Sequence, residues 1–164
     1  MVYERKEKSC CFTGHRAIPT AEIPSLAEAL QAEIAALAEQ GITIFYCGGA
    51  LGFDTLAAEA VLCAKKQNPK IRLCLALPCP EQAAGWSRAD VVRYAAIKAQ
   101  ADEVVFVSAH YFNGCMQKRN RYLAEHSCVC IAYLLPDRRR SGTRYTVAYC
   151  ERRGIPVRNL AAKK

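Results

Sequence analysis

Short apolar runs rich in β-branched residues alternate along this chain with longer segments whose apolar residues recur at three and four. That alternation predicts an α/β fold, a three-layer sandwich with a mostly parallel sheet of five to six strands covered on both faces. The clearest instance is residues 42–60, where a strand-like run ends in Gly48-Gly49-x-x-Gly52 and an alanine-rich helical pattern follows at once. A third observation is positional. Polar or glycine-bearing segments follow the strand-like runs, so they collect at the carboxyl ends of a parallel sheet, where such folds bind ligands.

The first strand is predicted at 8–13, stopped by Gly14-His15-Arg16, which reads equally as a surface turn or as a phosphate or base contact. Ile23, Leu26, Leu30, Ile34 and Leu37 then form one stripe of a helix over about 21–40, with Ser25-x-x-Glu28 as a capping box and Gly41 as its stop. After the glycine loop a second helix covers about 53–67 and ends at Asn68-Pro69. A strand at 70–77 closes at Pro78, and Ser87-x-x-Asp90 opens a helix to about 99. The fourth strand is expected at 103–107, a helix at about 116–126, the fifth strand at 128–135, a last helix from Ser141-Gly142-Thr143 to about 153, and a short sixth strand at 154–157. No repeat, low-complexity tract or linker divides the chain, so a single domain over 1–164 is expected.

Composition narrows the function classes. No apolar run approaches the ~20 residues of a membrane span, and the charged start at 1–8 lacks a signal-peptide core, so a cytoplasmic location is expected. The ten cysteines include no C-x-x-C, and His15, His110 and His126 have no zinc spacing. Reduced core thiols and no metal are expected. The net charge of +8 is uneven: residues 1–82 carry 8 Lys/Arg against 9 Asp/Glu, and residues 83–164 carry 15 against 6. A basic half fits nucleic acid, a phosphorylated small ligand, or only a solvated surface.

Three motifs carry chemistry. The Gly48–Gly52 loop delivers the chain into a helix N-terminus, where free N–H groups and the dipole favour an anion, although such a loop is often only a turn. It is neither the dinucleotide fingerprint nor a Walker loop. Ser141-Gly142-Thr143 can cap a helix or hold a phosphate. Lys118-Arg119-Asn120-Arg121 puts three cations at a helix start against the macrodipole; arginine suits phosphate, and the carboxamide suits a base edge or ribose. Asp54 and Glu59 are the nominated acid/base carboxylates, though the plainer readings, Asp54 as a helix cap and Glu59 pointing about a turn away, are favoured for both.

Thr13-Gly14-His15-Arg16, the Gly48–Glu59 segment, Trp86, Ala101-Asp102, Arg119-Asn120-Arg121-Tyr122 and Ser141-Gly142-Thr143 together resemble the YpsA-like family of the SLOG (SMF/DprA–LOG) superfamily. The resemblance runs from residue 9 to about 157. It implies a Rossmann-like domain holding a nucleotide or nucleotide-derived ligand, ADP-ribose-like molecules included, in a sensor or signalling role. The implied contacts are Gly14, His15, Arg16, Gly48, Gly49, Gly52, Asp54, Arg119, Asn120, Ser141, Gly142 and Thr143. The LOG branch, which cuts the N-glycosidic bond of nucleoside monophosphates, is also similar, but its Arg-Lys position holds Asn120 here and its two glutamate positions hold Tyr145 and Thr146, so the missing glutamates disfavour that activity. The DprA branch, which binds single-stranded DNA, is similar at Arg119-Asn120-Arg121 and Ser141-Gly142-Thr143. On that reading Arg119, Arg121, Arg138, Arg139, Arg140 and Arg144 follow the phosphates. A homo-oligomer is the remaining partner expectation.

Overall fold

In the computed structural model, which describes residues 2–137 and 140–161, six parallel strands form one sheet in the order β4-β3-β2-β1-β5-β6. The strands are β1 (Ser9–Gly14), β2 (Ile44–Cys47), β3 (Arg72–Leu77), β4 (Glu103–Phe106), β5 (Val129–Tyr133) and β6 (Val157–Asn159). The helices are α1 (Val2–Glu7), α2 (Ile23–Glu39), α3 (Phe53–Gln67), α4 (Arg88–Gln100), α5 (Cys115–Glu125) and α6 (Gly142–Arg152). This is the Rossmann-like α/β sandwich, with every strand parallel.

The inner strands β1, β2, β3 and β5 are largely buried on both faces, whereas the edge strands β4 and β6 are partly or largely exposed. Phe12, Phe45, Leu73, Leu75, Leu77, Ile131 and Tyr133 point into the core under α2 and α3. Their alternates, Cys11, Cys74, Ala76, Cys130 and Ala132, point into the core under α5 and α6. Period-two alternation sends mostly large side chains one way and, apart from Tyr46, mostly small ones the other. No helix among the described residues is long and apolar enough to cross a membrane.

Several expected details shift, each for a local reason. The Ser25 capping box does not form: α2 already starts at Ile23, with Pro24 in its first turn, and Ser25 Oγ instead donates to the Glu22 carbonyl at 3.0 Å. Ser87 does cap α4, accepting from the Asp90 N–H at 3.2 Å. Gly41 (φ +91°) ends α2 in a Schellman turn, with Ile42 N–H on the Leu37 carbonyl and Gly41 N–H on that of Ala38. Gly154 (φ +72°) does the same for α6 with Ile155, which displaces the sixth strand from 154–157 to Val157–Asn159. Helix α1 was not expected. It has no apolar periodicity and is held from its side by Arg5, whose guanidinium donates to Tyr46 Oη at 2.9 Å and pairs with Glu103.

Candidate functional site

The strand order reverses at β1: successive crossovers run outward through β2, β3 and β4, and the chain then returns to place β5 on the other side of β1. Side chains and loops diverge at such a switch point, leaving a crevice beyond the carboxyl ends of the strands. A cavity of about 270 Å³ lies there. Its walls are Thr13 to Arg16 from the end of β1, Ala50 and Asp54 from the loop and helix after β2, Met116, Arg119 and Asn120 from α5, and Ser141, Gly142 and Thr143 from the start of α6.

Helix α6 presents its N-terminus to this cavity. Ser141 Oγ accepts from the Arg144 N–H at 3.0 Å and caps the helix. Its hydroxyl therefore satisfies one of the orphan donors rather than standing idle. Gly142 is exposed, and a Cβ there would meet only Asn120 Nδ2 at 3.8 Å, so its backbone is open to a ligand. Thr143 is buried beside it.

Arg119 forms the floor. Its guanidinium, 5% exposed, donates to the Gly48 carbonyl and to Gln82 Oε1 at 3.4 Å, and its Nε donates to Asn120 Oδ1 at 3.0 Å. The last bond fixes the Asn120 amide, turning its Nδ2 toward Gly142. Asp54 is also buried, accepting from the Ala50 N–H at 3.2 Å. Burial raises its carboxyl above the ordinary carboxylate value, opposed by Arg119, the Ala50 N–H and Arg16. Burial likewise lowers the Arg119 guanidinium, opposed by Asp54. Each charge thus limits the cost of the other.

Among the expected contacts, Gly14, His15, Arg16, Asp54, Arg119, Asn120, Ser141, Gly142 and Thr143 all line the cavity. Gly48, Gly49 and Gly52 do not, and each makes room for the protein itself. A Cβ on Gly48 would stand 2.7 Å from Arg119 Nη1 and 2.9 Å from Asp54 Oδ2; one on Gly49 would stand 2.6 Å from Leu77 Cδ2. On Gly52 it would land on the Arg16 carbonyl. His15 is buried against Tyr133, and its Nε2 accepts from the Leu135 N–H at 3.0 Å, so the ring proton sits on Nδ1. Its role is to hold the β1 and β5 ends together.

Glu59 lies elsewhere. It is paired with Arg93 of α4 through two hydrogen bonds, one of 2.9 Å from Nε, and leaves Asp54 as the one nominated carboxylate at the cavity. At the two positions where LOG-type glutamates would fall, the Tyr145 hydroxyl accepts from Arg121 at 3.0 Å, and the Thr146 hydroxyl donates to the Gly142 carbonyl at 2.9 Å. Within the arginine track, Arg119 is buried, Arg140 is exposed, and Arg138 and Arg139 lie outside the described residues.

Two features escaped sequence reasoning. Gln82 is buried and donates to the Gly48 carbonyl at 3.3 Å, yet it sits in a polar loop with no periodic signal. The Sγ atoms of Cys11, Cys130 and Cys150 lie within 4.8 Å of one another. They come from β1, β5 and α6, so no spacing motif announces them. All three are fully buried in the small-residue core, where a thiol packs as a small hydrophobe.

Known proteins place this architecture. A 34% identical relative over 127 residues is the UPF0398 protein BH1768 of Halalkalibacterium halodurans, matching 76% of this chain and 65% of the relative. The chain thus spans about two thirds of that protein's length. A prophage-derived protein of Bacillus subtilis, YoqJ, is 32% identical over 120 residues, which are 66% of this chain and 69% of YoqJ. Among solved structures, DNA processing protein A of Helicobacter pylori, described in terms of its single-stranded DNA binding mode, superposes with a TM-score of 0.63 at 17% identity, over 95% of this chain and 66% of that one. The structure of TM1055 gives 0.61 at 16% identity, over 92% of this chain and 72% of that one. These two likenesses concern the fold. The model of the YspA SLOG family (YpsA) matches residues 10–154, and this chain belongs to that family.

Proposed function

We propose that the β1/β5 crevice binds a nucleotide or nucleotide-derived ligand, with a phosphate at the α6 N-terminus. The observation that carries the reading is Gly142. It is an exposed glycine at the first position of an 11-residue helix, unobstructed on the cavity side and faced by the Asn120 amide. Exposed N–H groups and the helix dipole there favour a phosphate, worth about 0.3–1 kcal/mol from the dipole alone and more when partly buried. Arg16 at the rim adds a cation, and Asn120 supplies an amide donor to ribose or base. At about 270 Å³ the cavity lies just below the usual range of about 300–1,000 Å³ for ligand pockets.

Calorimetric titration with AMP, GMP, CMP and UMP against the corresponding nucleosides tests this. Saturable binding of at least one monophosphate, with the nucleoside at least tenfold weaker, is the expected result. Equal binding of nucleosides, or none of either, contradicts it.

A second reading rests on the shared fold with DNA processing protein A and on the basic half of the chain. In it a single strand threads the same crevice. Counterion release then makes log K fall by about 0.7 per log unit of salt for each phosphate neutralised. An oligo-dT titration whose slope stays near one phosphate removes this reading.

A further inference from the structure

A second cavity, of about 260 Å³, lies on the other side of the 14–18 loop, and Arg16 is common to the walls of both. The Arg16 side chain is exposed and enters no hydrogen bond or ion pair among the described residues. The second cavity differs in chemistry from the first. Ile18, Ile23, Leu51 and Leu56 supply apolar walls, and Asp90, in the first turn of α4, supplies a carboxylate. Arg93 also borders it, but its Nε and Nη2 are taken by Glu59, which neutralises it locally. What remains is one cation at the end shared with the first cavity and one carboxylate within. Such a place offers a phosphate no net positive charge. It suits a flat or sugar-like group that packs on branched aliphatic side chains and donates hydroxyl or amine hydrogens to Asp90.

Building on the nucleotide reading above, we propose that the second cavity is a subsite of the same ligand. The phosphate at α6 and Arg16 is then the middle of a molecule carrying an organic group on each side: a nucleoside in the first cavity, and a second nucleoside or sugar over Arg16 in the second. Neither cavity alone reaches the usual floor of about 300 Å³ for ligand pockets, whereas the two together fall within the range. Arg16 is the hinge of the arrangement, since its planar fork can serve oxygens on either side of the wall.

The test compares AMP with two bridged probes, ADP-ribose (pyrophosphate bridge) and 5′-phosphorylated diadenylate (phosphodiester bridge), by calorimetry. At least one bridged probe should bind tenfold or more tightly than AMP. Leu51→Glu and Asp90→Ala should each abolish most of that gain while changing AMP affinity less than twofold. Leu51 lies outside both core clusters, and melting curves verify that each variant is folded. AMP binding with no gain for either bridged probe, or a gain that survives both substitutions, overturns the subsite and leaves the nucleotide reading intact. Absence of binding by all three probes overturns both. Which bridged probe shows the gain separates a pyrophosphate ligand from a nucleic-acid-like one.

Discussion

Arg119 and Gly48 form one unit, although they lie some seventy residues apart in the chain. The guanidinium needs acceptors because it is buried, and the Gly48 carbonyl can reach it only where no Cβ intervenes. The stability cost of adding a methyl group therefore follows its surroundings. Gly41→Ala, with open space but φ +91°, should cost about 1 kcal/mol. Gly48→Ala crowds two buried charged groups and should cost about 1–3 kcal/mol. Gly52→Ala meets a backbone carbonyl at φ +76° and should cost about 3 kcal/mol or more. Thermal melts, at about 2–4 °C per kcal/mol for a chain of this size, should rank the three in that order. A Gly52→Ala protein as stable as Gly41→Ala contradicts the packing account. At this scale the sequence was only half legible. Three glycines in five residues announced a special loop, but not that the space they leave is filled by Arg119, Leu77 and Arg16 instead of a ligand.

Among the elements, capping residues decide boundaries, and identical motifs differ in outcome. Ser87 and Ser141 each accept a backbone N–H, whereas Ser25 spends its hydroxyl on the Glu22 carbonyl. Ser87→Ala and Ser141→Ala should each destabilise by about 1 kcal/mol, and Ser25→Ala by less than about 0.5 kcal/mol; chemical denaturation midpoints measure this. The Ser25 motif misled because the helix already starts at Ile23, with Pro24 in its first turn, so Ser25 lies inside it.

A second element-level device is Asp102, at the entry to β4. Its carboxylate accepts from the Leu73 N–H at 2.9 Å and from Lys65, tying β3, β4 and α3 together. Burial raises its pKa, but the Lys65 and Leu73 hydrogen bonds together with the charges of Lys65 and Arg72 outweigh that, and the carboxyl ends below its ordinary value of 3.8. A depressed folded value means the unfolded chain binds the proton more readily. The stabilisation is therefore present above about pH 4 and is lost as pH falls through the folded value. Melting temperatures compared at pH 6 and pH 2.5 should converge for Asp102→Asn and wild type at the acid end, with the variant lower at pH 6. A constant difference at both pH values contradicts this assignment.

The whole molecule was the most legible level. Alternating periodicities dictate a parallel sheet, and any such sheet gathers its post-strand loops at one edge, so nine of the twelve expected contacts meet in a single cavity. Strand order cannot be read from periodicity, because every crossover has the same local pattern whichever way it runs. The reversal at β1, which opens the crevice, thus emerges only in three dimensions. For the same reason the separation of Glu59 from Asp54 was hidden: five residues along α3 turn it toward α4 and Arg93.

The account's central claim is that a phosphate occupies the α6 N-terminus, and Gly142→Asp tests it most directly. An aspartate in the first turn favours the helix, and its Cβ meets only Asn120 Nδ2 at 3.8 Å, so the variant should fold at least as stably as wild type. Its carboxylate would nevertheless stand where the phosphate binds. In a thermal shift assay with the tightest monophosphate at a hundredfold excess over its Kd, wild type should gain about 2.7 kcal/mol, or roughly 5–10 °C. Gly142→Asp should show almost none of that shift from an equal or higher starting temperature. An undiminished ligand-induced shift in the variant would place the phosphate elsewhere and contradict the account.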